Sequence, residues 1–131
     1  MSQKPQALAD VQSNVMKLSG IARELALTCL VHPREDYEVS TGFASDILSQ
    51  ILARAARGSI LVTAQHSLNL VAVASHTGIA AIIVTSGYRP GAEVLARAQS
   101  EGIGLYATPL ETFDVVGSLS QLGIKGRRYD A

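Results

Sequence analysis

The chain carries one cysteine, Cys29, among 131 residues, so no disulfide can close within it. No charged start leads into an apolar stretch and a cleavage site, which leaves export without support and makes the cytoplasm the expected location. No apolar run approaches the roughly 20 residues needed to span a bilayer, so no membrane partner is expected. Charge of one sign is also missing: 11 Lys and Arg balance 11 Asp and Glu, for a formal net charge of zero. Without a basic stripe, affinity cannot come from neutralising phosphates along DNA or RNA, and nucleic acid is not an expected partner.

Familiar chemical motifs are absent as well. The chain lacks G-x-x-x-x-G-K-[ST] and G-x-G-x-x-G, the two phosphate-binding patterns. It lacks the G-x-S-x-G nucleophile elbow and any C-x-x-C. His32, His66, His76, Cys29 and the carboxylates do not fall into pairs spaced like zinc ligands. The reading is therefore no metal, no cofactor and no catalytic residue. Cys29, inside the apolar run Thr28-Cys29-Leu30-Val31, reads as a small buried side chain, and His76 as a helix-end residue that serves the dipole.

What is present is a core and a repeat. Hydrophobic residues make up 47% and charged residues only 17% of the chain, enough for one ordinary domain and too apolar for wholesale disorder. Ile60-Leu61-Val62-Thr63, Ile82-Ile83-Val84-Thr85 and Leu105-Tyr106-Ala107-Thr108 each close on a threonine, pass a polar loop and enter a helical pattern. Uniformly apolar strands alternating with helices are what a parallel sheet buried on both faces requires. The fold class that follows is α/β: a single layered domain with a mostly parallel sheet flanked by helices.

Along the chain, residues 1–6 read as a flexible tail, 7–124 as the domain and 125–131 as a basic, solvated tail. Leu8, Val11, Val15, Leu18, Ile21 and Leu25 predict a helix over about 7–27, with Gly20 as a potential break. The segments 28–31 and 37–43 are expected to pair as a hairpin across His32-Pro33. A helix follows with the stripe Ile47, Leu48, Ile51, Leu52 and Ala55, Ser45 as its cap, Asp46 in its first turn and Gly58 beyond its end. Residues 68–75 read as a helix ending at Gly78, with a strand as the alternative. Residues 92–100 read as a helix entered through Pro90 and closed by Gly102. Thr108, Pro109 and Glu111 match a capping box that starts a last helix ending near Gly123.

In such a sheet the loops after the strands gather along one edge, where α/β folds bind ligands. The first loop offers Thr63, His66 and Asn69. A histidine there can serve as a general base or hold an anion, because its ordinary pKa near 6.5 places both states within reach. The second loop offers Ser86, Gly87 and Arg89, with glycine allowing close backbone approach and arginine able to fork onto phosphate or carboxylate. The third contributes Thr108. These seven residues form the expected ligand-binding set.

Glu38 to Ser49, with Ser40-Thr41-Gly42 where Thr-Gly-Gly is usual, resembles the opening motif of DRTGG domains. Asn69 to Ala74, Ile82 to Gly87, and Gly102-Ile103 leading to Ala107-Thr108-Pro109 and Thr112-Phe113 resemble later blocks, so that the resemblance spans about 18–123. It implies a regulatory or sensor module. DRTGG domains stand beside CBS domains in regulated pyrophosphatases, within some long phosphotransacetylases, and alone near iron-only hydrogenases in anaerobic bacteria. It therefore also implies a homodimer, and a protein partner in hydrogenase or acetate metabolism. The family's likeness to the amino-terminal domain of HPr kinase does not make this chain a kinase, since it has no phosphate-binding loop.

The expected function is a non-catalytic regulatory or ligand-sensing module that binds a small anionic metabolite or nucleotide at the carboxyl edge of the sheet. The rival is a small enzyme acting on a phosphorylated or acyl substrate with His66 as general base. That reading requires His66 to face Thr63, Ser67 or Thr108. A purely structural partner protein is the third alternative.

Overall fold

The computed structural model describes residues 15–127. The expected tail at 1–6, the first part of the amino-terminal helix and the end of the basic tail lie outside the described residues. The elements run β1 (Met16–Lys17), α1 (Leu18–Glu24), β2 (Thr28–Val31), β3 (Glu38–Val39), β4 (Thr41–Ala44), α2 (Leu48–Arg54), β5 (Ile60–Thr63), α3 (Leu68–Thr77), β6 (Ala81–Val84), α4 (Ala92–Glu101), β7 (Gly104–Ala107), α5 (Thr112–Gln121) and β8 (Lys125–Gly126). None of these helices is long and apolar enough to cross a membrane.

The three apolar runs are neighbours. A six-stranded sheet has the order β2-β7-β6-β5-β4-β8. Its members from β7 to β8 are parallel, and β2 alone runs antiparallel, along β7. Because side chains alternate along a strand, the sheet feeds two cores. Ile60, Val62, Ala81, Ile83 and Tyr106 pack with Leu18 and Ile21 of α1 and Val115 and Leu119 of α5. Leu61, Ile82, Val84 and Leu105 pack on the other face with Ile51, Leu70, Val71, Val94 and Ala98 from α2, α3 and α4. Ile60, Leu61, Ile82, Ile83 and Leu105 are each 0% exposed, and complete burial of such a side chain stabilises by about 1.5–3 kcal/mol. The expected single α/β domain with a mostly parallel sheet is the observed one.

Local details depart from the sequence reading. The helix expected over 7–27 is interrupted at Met16–Lys17, which pair antiparallel with Val39 and Glu38 as a separate two-stranded sheet. Gly20 stays inside α1. The hairpin does not form: Ser40 divides the second segment, so 38–39 joins β1 while 41–44 lies parallel to β5 and β2 goes to β7. Residues 68–77 are a helix, and Gly78 and Gly102 cap α3 and α4 in the left-handed region. Gly58 caps nothing, since α2 ends at Arg54. The capping box fails too. Thr108 is buried and its Oγ1 accepts from Leu110 N at 3.2 Å, a local turn that delays α5 to Thr112.

Cys29 is exposed rather than buried. It sits on edge strand β2, whose burial is incomplete because no strand among the described residues pairs with its other side. Lys125 and Gly126, read from the sequence as tail, are exposed but pair with Thr41 and Gly42 as β8.

Candidate functional site

The parallel strands β4, β5, β6 and β7 end together, and four loops meet at that edge. Asp46, after β4, pins the loop after β5. Its Oδ1 accepts from Ala64 N at 2.8 Å and from Thr63 Oγ1 at 3.0 Å, and its carbonyl accepts from Gln65 Nε2 at 3.2 Å. Thr63 Oγ1 accepts in turn from Gln65 N at 3.0 Å, and Ser67 Oγ donates to Gln65 Oε1 at 3.3 Å. Asp46 is therefore a loop brace. It lies before α2 rather than in its first turn, while Ser45 Oγ accepts from Ile47 N at 3.1 Å.

The loop after β6 closes in a tight turn, with Tyr88 N donating to Thr85 O at 3.3 Å. Both central residues are left-handed, Ser86 at φ 63° and Gly87 at φ 77°, the conformation of a type I′ turn. Glycine adopts it freely; serine is strained there. What holds Ser86 is the third loop. Ser86 N donates to Leu110 O at 2.8 Å, Gly87 N to Thr108 O at 3.1 Å, and Ser86 Oγ to Glu111 Oε1 at 3.0 Å. Thr85 Oγ1 and Thr112 Oγ1 lie 2.7 Å apart, a further link between these loops.

The turn delivers Tyr88 onto His66. The two rings stack with centroids 4.8 Å apart and planes 13° from parallel. His66 Nδ1 lies 3.1 Å from the carbonyl oxygen of Ala64, and a carbonyl only accepts, so Nδ1 carries the proton. These rings, with Asp46, Ala64 and Gln65, line an open cleft of about 310 Å³.

Of the expected set, Thr63, His66, Ser86, Gly87 and Thr108 are brought to one edge. Thr63 and Thr108 are buried and engaged in the loops, 0% and 4% exposed. The backbone N–H groups of Ser86 and Gly87 are spent on the third loop. Asn69 is exposed on the first turn of α3, outside the cleft lining. Arg89 is exposed immediately after Tyr88. Glu93 and Asp114 occupy the first turns of α4 and α5, so together with Asp46 and Glu111 the edge is predominantly acidic, with Arg89 the cation in its loops.

His66 does not make the contact that the enzyme reading demands. Its Nδ1 goes to Ala64 O, while Thr63 Oγ1 goes to Asp46 and Ser67 Oγ to Gln65. Among the described residues no three His, Cys, Asp or Glu gather closely enough to hold a metal ion.

Sequence reasoning missed Asp46, Gln65 and Tyr88. Tyr88 carried a signal, being an aromatic residue in a polar loop one repeat beyond His66. Asp46 carried none, because a carboxylate ahead of a helix is adequately explained by the helix.

A search of the curated proteins finds no match. Among solved structures, the CBS and DRTGG domains of the regulatory region of Clostridium perfringens pyrophosphatase, complexed with the activator diadenosine tetraphosphate, superpose with a TM-score of 0.66 at 18% identity. The alignment covers 80% of this chain and 46% of that one, so this chain spans less than half the length of that structure. The DRTGG domain model matches residues 20–122, and the chain belongs to the DRTGG domain family.

Proposed function

We propose that this chain is a regulatory module that binds a nucleotide at the carboxyl edge of its sheet, without turning it over. The observation that carries the reading is the His66–Tyr88 stack, which walls an open cleft with Asp46, Ala64 and Gln65. A purine laid on this pair extends it by one ring, and base–aromatic stacking contributes about 1–3 kcal/mol per base. Asp46 Oδ1 is occupied by Ala64 and Thr63, which leaves Oδ2 to accept from an amino group on the base. Arg89, exposed next to Tyr88, would meet the phosphate. The complex of the pyrophosphatase regulatory region with diadenosine tetraphosphate supports the ligand class.

Calorimetric titration with AMP, ATP and diadenosine tetraphosphate tests this reading. Binding is expected to weaken about tenfold or more in Tyr88→Ala, and AMP is expected to bind more tightly than its inosine counterpart, which lacks the amino group. Absence of binding by all three ligands, or equal affinity in Tyr88→Ala, refutes the site.

The anionic metabolite of the broader expectation is less well served, because the edge carries more carboxylates than cations. A homodimer is also proposed, on the exposure of Phe113, Leu110 and Val116 at 87%, 41% and 40% around the start of α5. Sedimentation of Phe113→Glu, expected to run as a monomer where the parent runs as a dimer, tests it.

A further inference from the structure

A second cleft, of about 360 Å³, opens on the face of the sheet that α1 and α5 cover, beyond the edge of α5. Gly42 of β4 faces this way: a Cβ built on it would stand 3.3 Å from Ile60 Cγ2 and 3.5 Å from Ile124 Cγ2, and both isoleucines belong to the core under these helices. Ala44 follows on the same face, since side chains alternate along a strand, and it lies opposite Val62 in the ladder. Larger residues at these two positions would fill the space. Glycine and alanine leave a trough between α5 and β8.

The trough is apolar along its floor. Val62, Leu119 and Ile124 line it and are otherwise buried, while Val116 of α5 forms a wall and is 40% exposed. An apolar occupant would remove this surface from water, which is the general driving force for association.

The charged part of the lining has one sign. Arg54, Lys125 and Arg127 line the cleft, and no Asp or Glu stands among the lining residues. Lys125 Nζ is held over the end of α5, 3.3 Å from Ser120 O and 3.4 Å from Ser120 Oγ, and it makes no ion pair among the described residues. An ammonium has three donors, so one remains for a ligand. Arg127 Nη1 donates to Arg54 O at 3.5 Å, which fastens the chain after β8 to the end of α2. A chain of zero formal net charge thus gathers three cations at one apolar cleft, whereas the His66–Tyr88 edge is predominantly acidic.

We propose that this cleft binds a small apolar organic anion, with an acyl or aryl body in the trough and an anionic oxygen head, carboxylate or phosphate, at Lys125. A neutral apolar molecule leaves the cations unmatched, and a compact anion leaves the trough wet, so the two features together select an amphiphile. The volume falls within the range of small-molecule sites, roughly 300–1,000 Å³. The inference uses none of the residues of the His66–Tyr88 cleft. It shares Val116 with the proposed dimer face, and the test separates the two.

The test is a calorimetric titration of the full chain with octanoate and octyl phosphate, below their micelle-forming concentrations. Octanamide, which keeps the body and loses the charge, and acetate, which does the reverse, are the comparisons. At least one of the two amphiphiles is expected to bind saturably, one molecule per chain, and to shift the methyl resonances of Val116; the tighter of them names the head group. Octanamide is expected to bind about tenfold or more weakly, and acetate not to saturate. Ala44→Leu, a change at an exposed position whose added carbons enter the trough, is expected to abolish binding. Lys125→Gln is expected to weaken it severalfold and to narrow the gap between octanoate and octanamide, while Tyr88→Ala and Phe113→Glu leave it intact. The proposal is overturned if neither amphiphile binds, if octanamide binds as tightly, or if a folded Ala44→Leu binds unchanged. It is equally overturned if binding disappears in Phe113→Glu, which would assign the cleft to the contact between two copies. Should Ala44→Leu fail to fold, unchanged affinity in Lys125→Gln overturns it alone.

Discussion

Thr63→Val isolates the brace that shapes the His66–Tyr88 cleft. Threonine and valine share a branched shape, and Thr63 is fully buried at the end of β5, so the substitution changes chemistry and leaves packing in place. It removes two bonds at once: Oγ1 to Asp46 Oδ1 at 3.0 Å and Gln65 N to Oγ1 at 3.0 Å. The first involves a charged acceptor, where a bond contributes about 1.5–3 kcal/mol; the second is a neutral bond at about 1 kcal/mol. Added burial of a methyl group returns about 1 kcal/mol, so the net loss is about 2 kcal/mol. Asp46→Ala removes the same charged bond together with the one from Ala64 N. Asp46 is exposed and water replaces part of what is lost, so about 1–2 kcal/mol is expected. Because the two side chains share a bond, the double variant falls short of the sum by about 1 kcal/mol. Urea denaturation of the four proteins measures every term. A Thr63→Val cost within about 0.5 kcal/mol of zero, or strict additivity, refutes the brace.

Gly102 has φ +75°, and a Cβ there would stand 2.6 Å from Arg34 Cζ; Gly102→Ala is expected to cost about 1–2 kcal/mol by chemical denaturation, and Arg34→Ala to relieve only the contact part of it. Tyr106 is raised from 10.0 to about 12 by burial, so the stability that its neutral form contributes is fully present below pH 10 and is lost as pH climbs towards 12. A tyrosinate absorbance titration is expected to show one late ionisation that Tyr106→Phe abolishes, and a single step near 10 for all tyrosines would contradict it. Glu101 has its pKa lowered first by the Ser75 hydroxyl and then by Arg97, so its contribution is present above the ordinary value of 4.5 and lost as pH falls through the lowered one. Ser75→Ala is expected to move the carboxyl titration of Glu101 upward in carbon-detected NMR, and an unchanged midpoint would remove Ser75 as the cause.

The parallel sheet was legible because its signal is redundant. Ile60–Thr63, Ala81–Val84 and Gly104–Ala107 are buried at every position, and only strands covered on both faces need such runs. The helices between them were legible for a similar reason, with Gly78 and Gly102 both left-handed at their ends. The amino-terminal third was not. Its apolar residues at spacings of three and four fit a helix, but Met16 and Lys17 find a strand partner in Val39 and Glu38, and that pairing is a tertiary event with no local cue. The capping box failed through competition: Thr108 can cap a helix or close a turn with Leu110 N, and its burial under the β6 loop favours the turn.

The candidate site shows the same division between edge and detail. That the threonine-ended loops share an edge follows from parallel pairing alone. That His66 and Tyr88 stack follows from the register, which sets Thr63 beside Val84, and from a left-handed Ser86 that only the third loop can stabilise. No propensity in Ser86 announces this. The consequence for recognition is direct. The sequence offered the glycine loop as an anion cradle, but its N–H groups are consumed in building the turn, and the neighbouring carboxylates outnumber Arg89. On the proposed reading, a ligand at this edge would be recognised by its ring first and by its charge second, which is why Tyr88→Ala, rather than Arg89→Ala, is the decisive substitution.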